Sequence, residues 1–236
     1  MIYLCIPSGG DVIAQLLRTT PNAGSAGTFA IDPNRMSAAA MDNANGAWCK
    51  AWNDRYTAGW TKFAINHADV EPDIGFLDTM SSEMDRVGAD ILSVVIPIKD
   101  GHGIVSAGIL GRDQYTRIVQ RFSMAEIFDL PETFSIEDTH RPNDILVVNT
   151  GLSMYRIDPW FGEFPGFNLL SQIQKEPDGT LVSRFWPEDW EMSRWADSQG
   201  LKVFGTRKVG VDHWGRFAFS NRHVWGKWKT DEMYKP

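Results

Sequence analysis

The chain is short of several things, and each shortage excludes something. Two cysteines, Cys5 in an apolar run and Cys49 in a helical stretch, make neither a disulfide framework nor a zinc pattern. Free thiols in a reducing cytoplasm are the expectation. No run of eighteen apolar residues occurs, which excludes a spanning helix of ordinary length. The opening MIYLCIPSGG has no basic segment ahead of its apolar residues, unlike a secretory signal. No repeat, low-complexity tract or linker interrupts the 236 residues, so one domain over 1–236 is the simplest count.

Against these absences stands an uneven charge. Residues 1–200 carry 15 basic and 27 acidic side chains, a balance of −12, whereas 201–236 carry 8 and 3, a balance of +5. A basic end on an acidic body points to an anionic ligand, either a diphosphate or nucleic acid, or to solvated pairing with its own surface. Six of the ten tryptophans fall in the last fifty-one residues: Trp186, Trp190, Trp195, Trp214, Trp225 and Trp228. Aromatic faces stack on sugars, bases and cations, although most tryptophans pack in cores.

Up to residue 98 the pattern alternates. MIYLCIP, GTFAI, the run around Phe63-Ala64-Ile65 and DILSVVIPI read as buried strands. DVIAQLLRT, the Ala-rich segment with Trp48 and Trp52, and IGFLDTMSSEMDRVG, closed by Gly88, read as helices. This order predicts an α/β fold with a mostly parallel sheet flanked by helices. Beyond it come GHGIVSAGIL as a strand, SMAEIFDLP as a short helix, DILVVNTGLSMYRI as a strand broken at 149–151, a helix from Glu188 to Gly200, and a strand and loop over 202–215. Residues 1–98 thus read as a nucleotide-binding half and 99–236 as a mixed acceptor and catalytic half.

The chemistry concentrates in two places. In FAINHADVEPDIGFLDTM an apolar strand stops at His67, Asp69 and Glu71. In an extended segment these three lie on one side, where carboxylates at a strand end hold a divalent cation and leave room for phosphate oxygens. Asp73 suits the cap of the next helix. Far downstream, Glu188 and Asp189 open a helix after Pro187, and His213 follows in a Gly-rich context. A carboxylate there either satisfies the helix dipole or serves as a base.

Taken in order, INHADVEPDIGFLDTM, NTGLSMYR and PEDWEMSRWADSQGLKVFGTRKVGVDHWG resemble the glycosyltransferases of the A-type (GT-A) fold, in particular their family 2-like nucleotide-sugar transferases. The resemblance implies a Rossmann-like fold, a nucleotide-sugar donor (a UDP-sugar favoured) and Mn2+ or Mg2+ as cofactor. It implies Asp69 at the nucleotide ribose or metal, Glu71 as a direct ligand and His213 completing the metal site. Asp189, beside Glu188, would be the base of an inverting displacement. Pro7, Ser8 and Asp32 would line the nucleobase pocket, with Asn45 near it. The sequence departs from the family pattern in having Glu71 where a second Asp is usual, and Glu-Asp pairs with a late His also occur in retaining members. The acceptor would be a glycan or, given the basic aromatic end, a hydroxymethylated base in phage-type DNA. Two other classes stay open: a nucleotidyltransferase, for which PSGGD is the phosphate-loop candidate, and a non-catalytic carbohydrate- or nucleic-acid-binding module.

Overall fold

The structure, a computed structural model, describes residues 1–7, 29–32, 40–112 and 119–226, with the backbone alone at 29–32, 40, 41, 172, 174 and 184. The helix expected at 11–19, Ser8, the side chain of Asp32 and Trp228 lie outside this set.

A seven-stranded sheet organises the molecule. Its strands are β1 (Ile2–Cys5), β2 (Phe29–Asp32), β3 (Lys62–Asn66), β5 (Ile91–Val94), β8 (Thr133–Phe134), β10 (Leu152–Arg156) and β13 (Val203–Thr206), in the order β2-β1-β3-β10-β5-β13-β8. The pairings β1–β2, β1–β3 and β5–β13 are parallel, while β10 runs antiparallel to both β3 and β5, and β8 antiparallel to β13. Five of the seven strands therefore point one way, as the sequence pattern predicts. The reversed β10 brings residues 149–151 to the same rim as the carboxyl ends of β3 and β5, since Leu152 sits opposite Asn66.

Both faces of the sheet are covered, which explains the unbroken apolar runs. Along β1, Ile2 and Leu4 face one core and Tyr3 and Cys5 the other. The first core is closed by α2 (Phe76–Val87), which buries Phe76, Leu77, Met80 and Met84 on a single stripe. Gly88 ends that helix at φ 65°, a left-handed conformation in which glycine has no Cβ to clash. The second core packs on α1 (Ala40–Ala58) and α4 (Glu188–Ser198). Here Trp48 lies flat on Phe161, ring centroids 3.6 Å apart at 3°, and its Nε1–H donates to the Phe161 carbonyl at 2.9 Å.

Smaller elements complete the chain. β6 (Ile104–Leu110) pairs with β7 (Gln120–Ser123) and β9 (Ile145–Val147), and α3 (Met124–Asp129) follows β7 behind a Ser123–Glu126 capping box. β11 (Leu170–Lys175) and β12 (Leu181–Trp186) form a hairpin with Ile173, Leu181 and Phe185 exposed. β14 (Val211–Trp214) lies between β4 (Val70–Pro72) and β15 (Ala218–Ser220), all antiparallel. Among the described residues no helix is long and apolar enough to cross a membrane.

Candidate active site

The site is built from chain ends and turns at the rim of the sheet. After Asn66 the chain leaves β3 through a turn in which the His67 N–H donates to the Gly151 carbonyl at 2.6 Å and the Val70 N–H to the His67 carbonyl at 3.1 Å. Asn149 pins the facing turn: its Nδ2 donates to Val94 O at 2.8 Å and its Oδ1 accepts from Leu152 N–H at 3.3 Å. Ser193 on α4 ties this turn to the helix, accepting from Val148 N–H at 3.1 Å and donating to the Asp189 carbonyl at 2.7 Å. A pocket of about 150 Å³ opens between these parts, lined in part by His67, Ser106, Thr150, Glu188, Asp189 and His213.

Glu188 and Asp189 sit in the first turn of α4. Glu188 Oε1 accepts from Thr150 Oγ1–H at 3.0 Å, and Asp189 Oδ1 accepts from Trp190 N–H at 2.9 Å. Burial, reinforced by the neighbouring Glu188 charge, pushes the Asp189 carboxyl up to about 7 against the opposing pull of Arg121. A carboxylate poised there is matched to proton transfer near neutral pH.

Across the pocket, β4 and β14 bring Asp69 and His213 together. The Trp214 N–H donates to the Asp69 carbonyl at 2.7 Å, and His213 Nε2 stands 3.6 Å from Asp69 Oδ2. His213 Nδ1 lies 2.7 Å from the Pro97 carbonyl, an acceptor only, so this nitrogen carries the proton and Nε2 is left to face the carboxylate. Asp69 Oδ2 also receives the Lys99 ammonium. Burial works to raise the Asp69 carboxyl, but the neighbouring His213 and the Lys99 ammonium outweigh it and hold the group well below the usual carboxylate range. Burial lowers the His67 imidazole, with Asp69 and Glu188 opposing.

The sequence expectation for Glu71 does not survive this geometry. The turn at 67–69 interrupts the strand, and alternation restarts at Val70. Glu71 then pairs with Asp212 in the register and Val70 with His213, so Glu71 and His213 lie on opposite faces of the ladder. Its carboxylate instead accepts from Trp214 Nε1–H at 2.6 Å. Among the described residues no group of three or more His, Cys, Asp or Glu is arranged to hold a metal. Of the three side chains expected at a metal, Asp69 and His213 are the two that stand together, 3.6 Å apart. Two protein ligands suit an ion whose other positions go to phosphate oxygens and water, and the Pro97 carbonyl behind His213 is the outer partner such a ligand uses.

Two further expectations are corrected. Asn45 is not free for a nucleobase, because its Nδ2 donates to the Phe167 carbonyl at 3.1 Å and its Oδ1 accepts from Phe167 N–H at 2.7 Å. Asp73 does not cap α2, whose cap is Gly75; it pairs with Arg222 at 2.7 Å and accepts from Gly210 N–H at 2.9 Å. Pro7 is buried just beyond β1. Residues that sequence reasoning passed over are Lys99 and Ser106, whereas Asn149 and Thr150 open the NTGLSMYR stretch it quoted. Lys99 alone had a signal, a charge placed directly after a buried strand.

No family model matches the sequence, and no curated protein matches it. Solved structures do resemble its fold. A197 from STIV aligns over 96% of this chain and 93% of its own, at 14% identity and a TM-score of 0.53. An apo UDP-glucose pyrophosphorylase aligns over 79% of this chain and 57% of its own, at 9% identity and a TM-score of 0.35. HddC from Yersinia pseudotuberculosis aligns over 84% and 98%, at 11% identity and a TM-score of 0.34.

Proposed function

We propose that this chain is a metal-dependent glycosyltransferase moving a sugar from a nucleoside-diphosphate donor, a UDP-sugar in the first instance, to an acceptor hydroxyl. The observation that carries the reading is one pocket with two chemically different walls. On one wall Asp189 has a carboxyl raised to about 7; on the other stands His213, whose Nε2 lies 3.6 Å from Asp69 Oδ2.

Asp189 takes the proton from the acceptor hydroxyl as that oxygen bonds to the anomeric carbon of the donor. The bond from that carbon to the diphosphate breaks, and the electron pair leaves with the phosphate oxygen. One displacement inverts the anomeric centre. Thr150 holds Glu188 aside by a hydrogen bond, so its charge raises Asp189 without competing for the same proton. Asp69 and His213 would hold a divalent cation, which when bound neutralises charge on the departing diphosphate. The acceptor is a glycan hydroxyl or a hydroxymethylated base in DNA, the second consistent with the basic balance of residues 201–236.

The test is release of free sugar and of nucleoside diphosphate from UDP-, GDP- and TDP-sugars, with Mn2+ or with excess chelator. Cleavage that needs the metal and disappears in Asp69→Ala and Asp189→Asn is expected. Absence of binding and cleavage across the panel defeats the reading. Pyrophosphate release from a sugar phosphate and a nucleoside triphosphate would replace it with nucleotidyl transfer. Ligand binding indifferent to metal and to Asp189→Asn would leave a binding module.

A further inference from the structure

We propose that Lys99 is a diphosphate-binding residue of this site, its ammonium resting on Asp69 and passing to the donor's phosphates when a divalent cation takes that carboxylate. The proposal rests on the donor reading above. Its starting point is that Asp69 Oδ2 is claimed twice: by the Lys99 ammonium and, at 3.6 Å, by His213 Nε2. A cation bound between Asp69 and His213 needs the carboxylate oxygen that Lys99 now neutralises, so the two positive charges compete for one place.

The chain fixes Lys99 there by several means. Residues 97–105 form a turn closed by the Pro97–Val105 bridge, with Ile98 N–H donating to Ile104 O at 2.9 Å and Asp100 N–H to Ile98 O at 2.8 Å. The carbonyl that orients His213 belongs to Pro97, two residues before Lys99, so imidazole and ammonium are registered by the same short stretch. The aliphatic stem of Lys99 runs against Gly215, where an added Cβ would stand only 3.3 Å from Lys99 Cδ. Gly215 thus provides room for the stem.

The pair is built to exchange. The side chains are 35% and 43% exposed, and an ion pair that open to water contributes little, so breaking it is easy. The nucleoside diphosphate that leaves the sugar carries more charge than one divalent cation cancels. Lysine, a compact charge on a flexible four-carbon stem, can follow the phosphates without leaving its turn. Displaced from Asp69, its ammonium meets a stronger partner in a phosphate oxygen.

Lys99→Met separates this role from a merely structural one, with Lys99→Gln as its substitute should the Met variant fail to fold. Calorimetric titration with UDP, and with pyrophosphate as a base-independent probe, should show affinity lower by about tenfold or more, the loss of one charge-assisted hydrogen bond. Uridine binding should be unchanged. Mn2+ titrated alone, followed by electron paramagnetic resonance, should bind the variant several-fold tighter, because its competitor has gone. Equal pyrophosphate and UDP affinity in the two proteins, or Mn2+ affinity unchanged or weaker in the variant, overturns the proposal and leaves the donor reading standing. A wild-type protein that binds neither UDP nor pyrophosphate overturns both.

Discussion

At the scale of single residues, Asp189 shows two effects of opposite sign. Its place in the first turn of α4 favours the ionised carboxylate through the helix dipole, whereas burial and the Glu188 charge favour the proton. The second pair wins, to about 7. If Asp189 is the base, kcat/KM falls as pH drops through about 7, where the carboxyl becomes protonated, and Asp189→Asn loses about 10²–10⁴-fold in turnover while nucleotide affinity holds. Glu71→Gln supplies a second expectation. Glutamine still accepts from the Trp214 indole, so Mn2+ affinity stays unchanged, whereas Asp69→Asn removes it. Asp69, His213 and the Glu188–Asp189 pair were legible as residue types beside strand and helix ends. The face on which Glu71 falls was not, because a turn between His67 and Asp69 shifts the parity of everything after it, and no apolar pattern marks so short a turn.

At the scale of elements, α1 carries its own lesson. Trp48 and Trp52 at helical spacing correctly mark an aromatic face packed on the sheet, yet Asn45 one turn earlier does a job that spacing cannot disclose. Its carboxamide binds the backbone of Phe167 on both sides and so fastens the 159–168 segment to the helix. Asn45→Ala should cost about 1–3 kcal/mol in urea unfolding, the penalty for buried backbone groups left unpaired, and leave UDP affinity untouched. Loss of UDP binding at unchanged stability would return Asn45 to the nucleotide. The strands of the first half were readable because both of their faces are buried. The hairpin β11–β12 was not, since LSQIQK and LVSRFW show no two-residue alternation and Ile173, Leu181 and Phe185 face solvent.

At the scale of the whole molecule, Glu83 links α2 to the segment after β13. It is buried, pairs with Arg86 at 2.5 Å and with Lys208 at 3.0 Å, and the Arg86 hydrogen bond leads in holding its carboxyl down at about 2. A depressed carboxyl contributes stability that is complete above its unfolded value near 4.5 and drains away as pH falls toward about 2. Thermal midpoints recorded between pH 6 and 2 should drop over that window, and Glu83→Gln should flatten that part of the decline. Alternation of strand and helix foretold the layered architecture, but the direction of β10 was invisible, since a buried strand reads the same both ways. That reversed strand has a consequence during synthesis. With residues 1–98 outside the ribosome, β3 and β5 are both made yet cannot touch, because the slot between them belongs to residues 152–156, and the other flank of β5 to residues 203–206. Throughout that interval β5 is an apolar ribbon with two open edges, inviting capture by other nascent chains, so a gene cut after residue 98 should deliver inclusion bodies rather than a folded half.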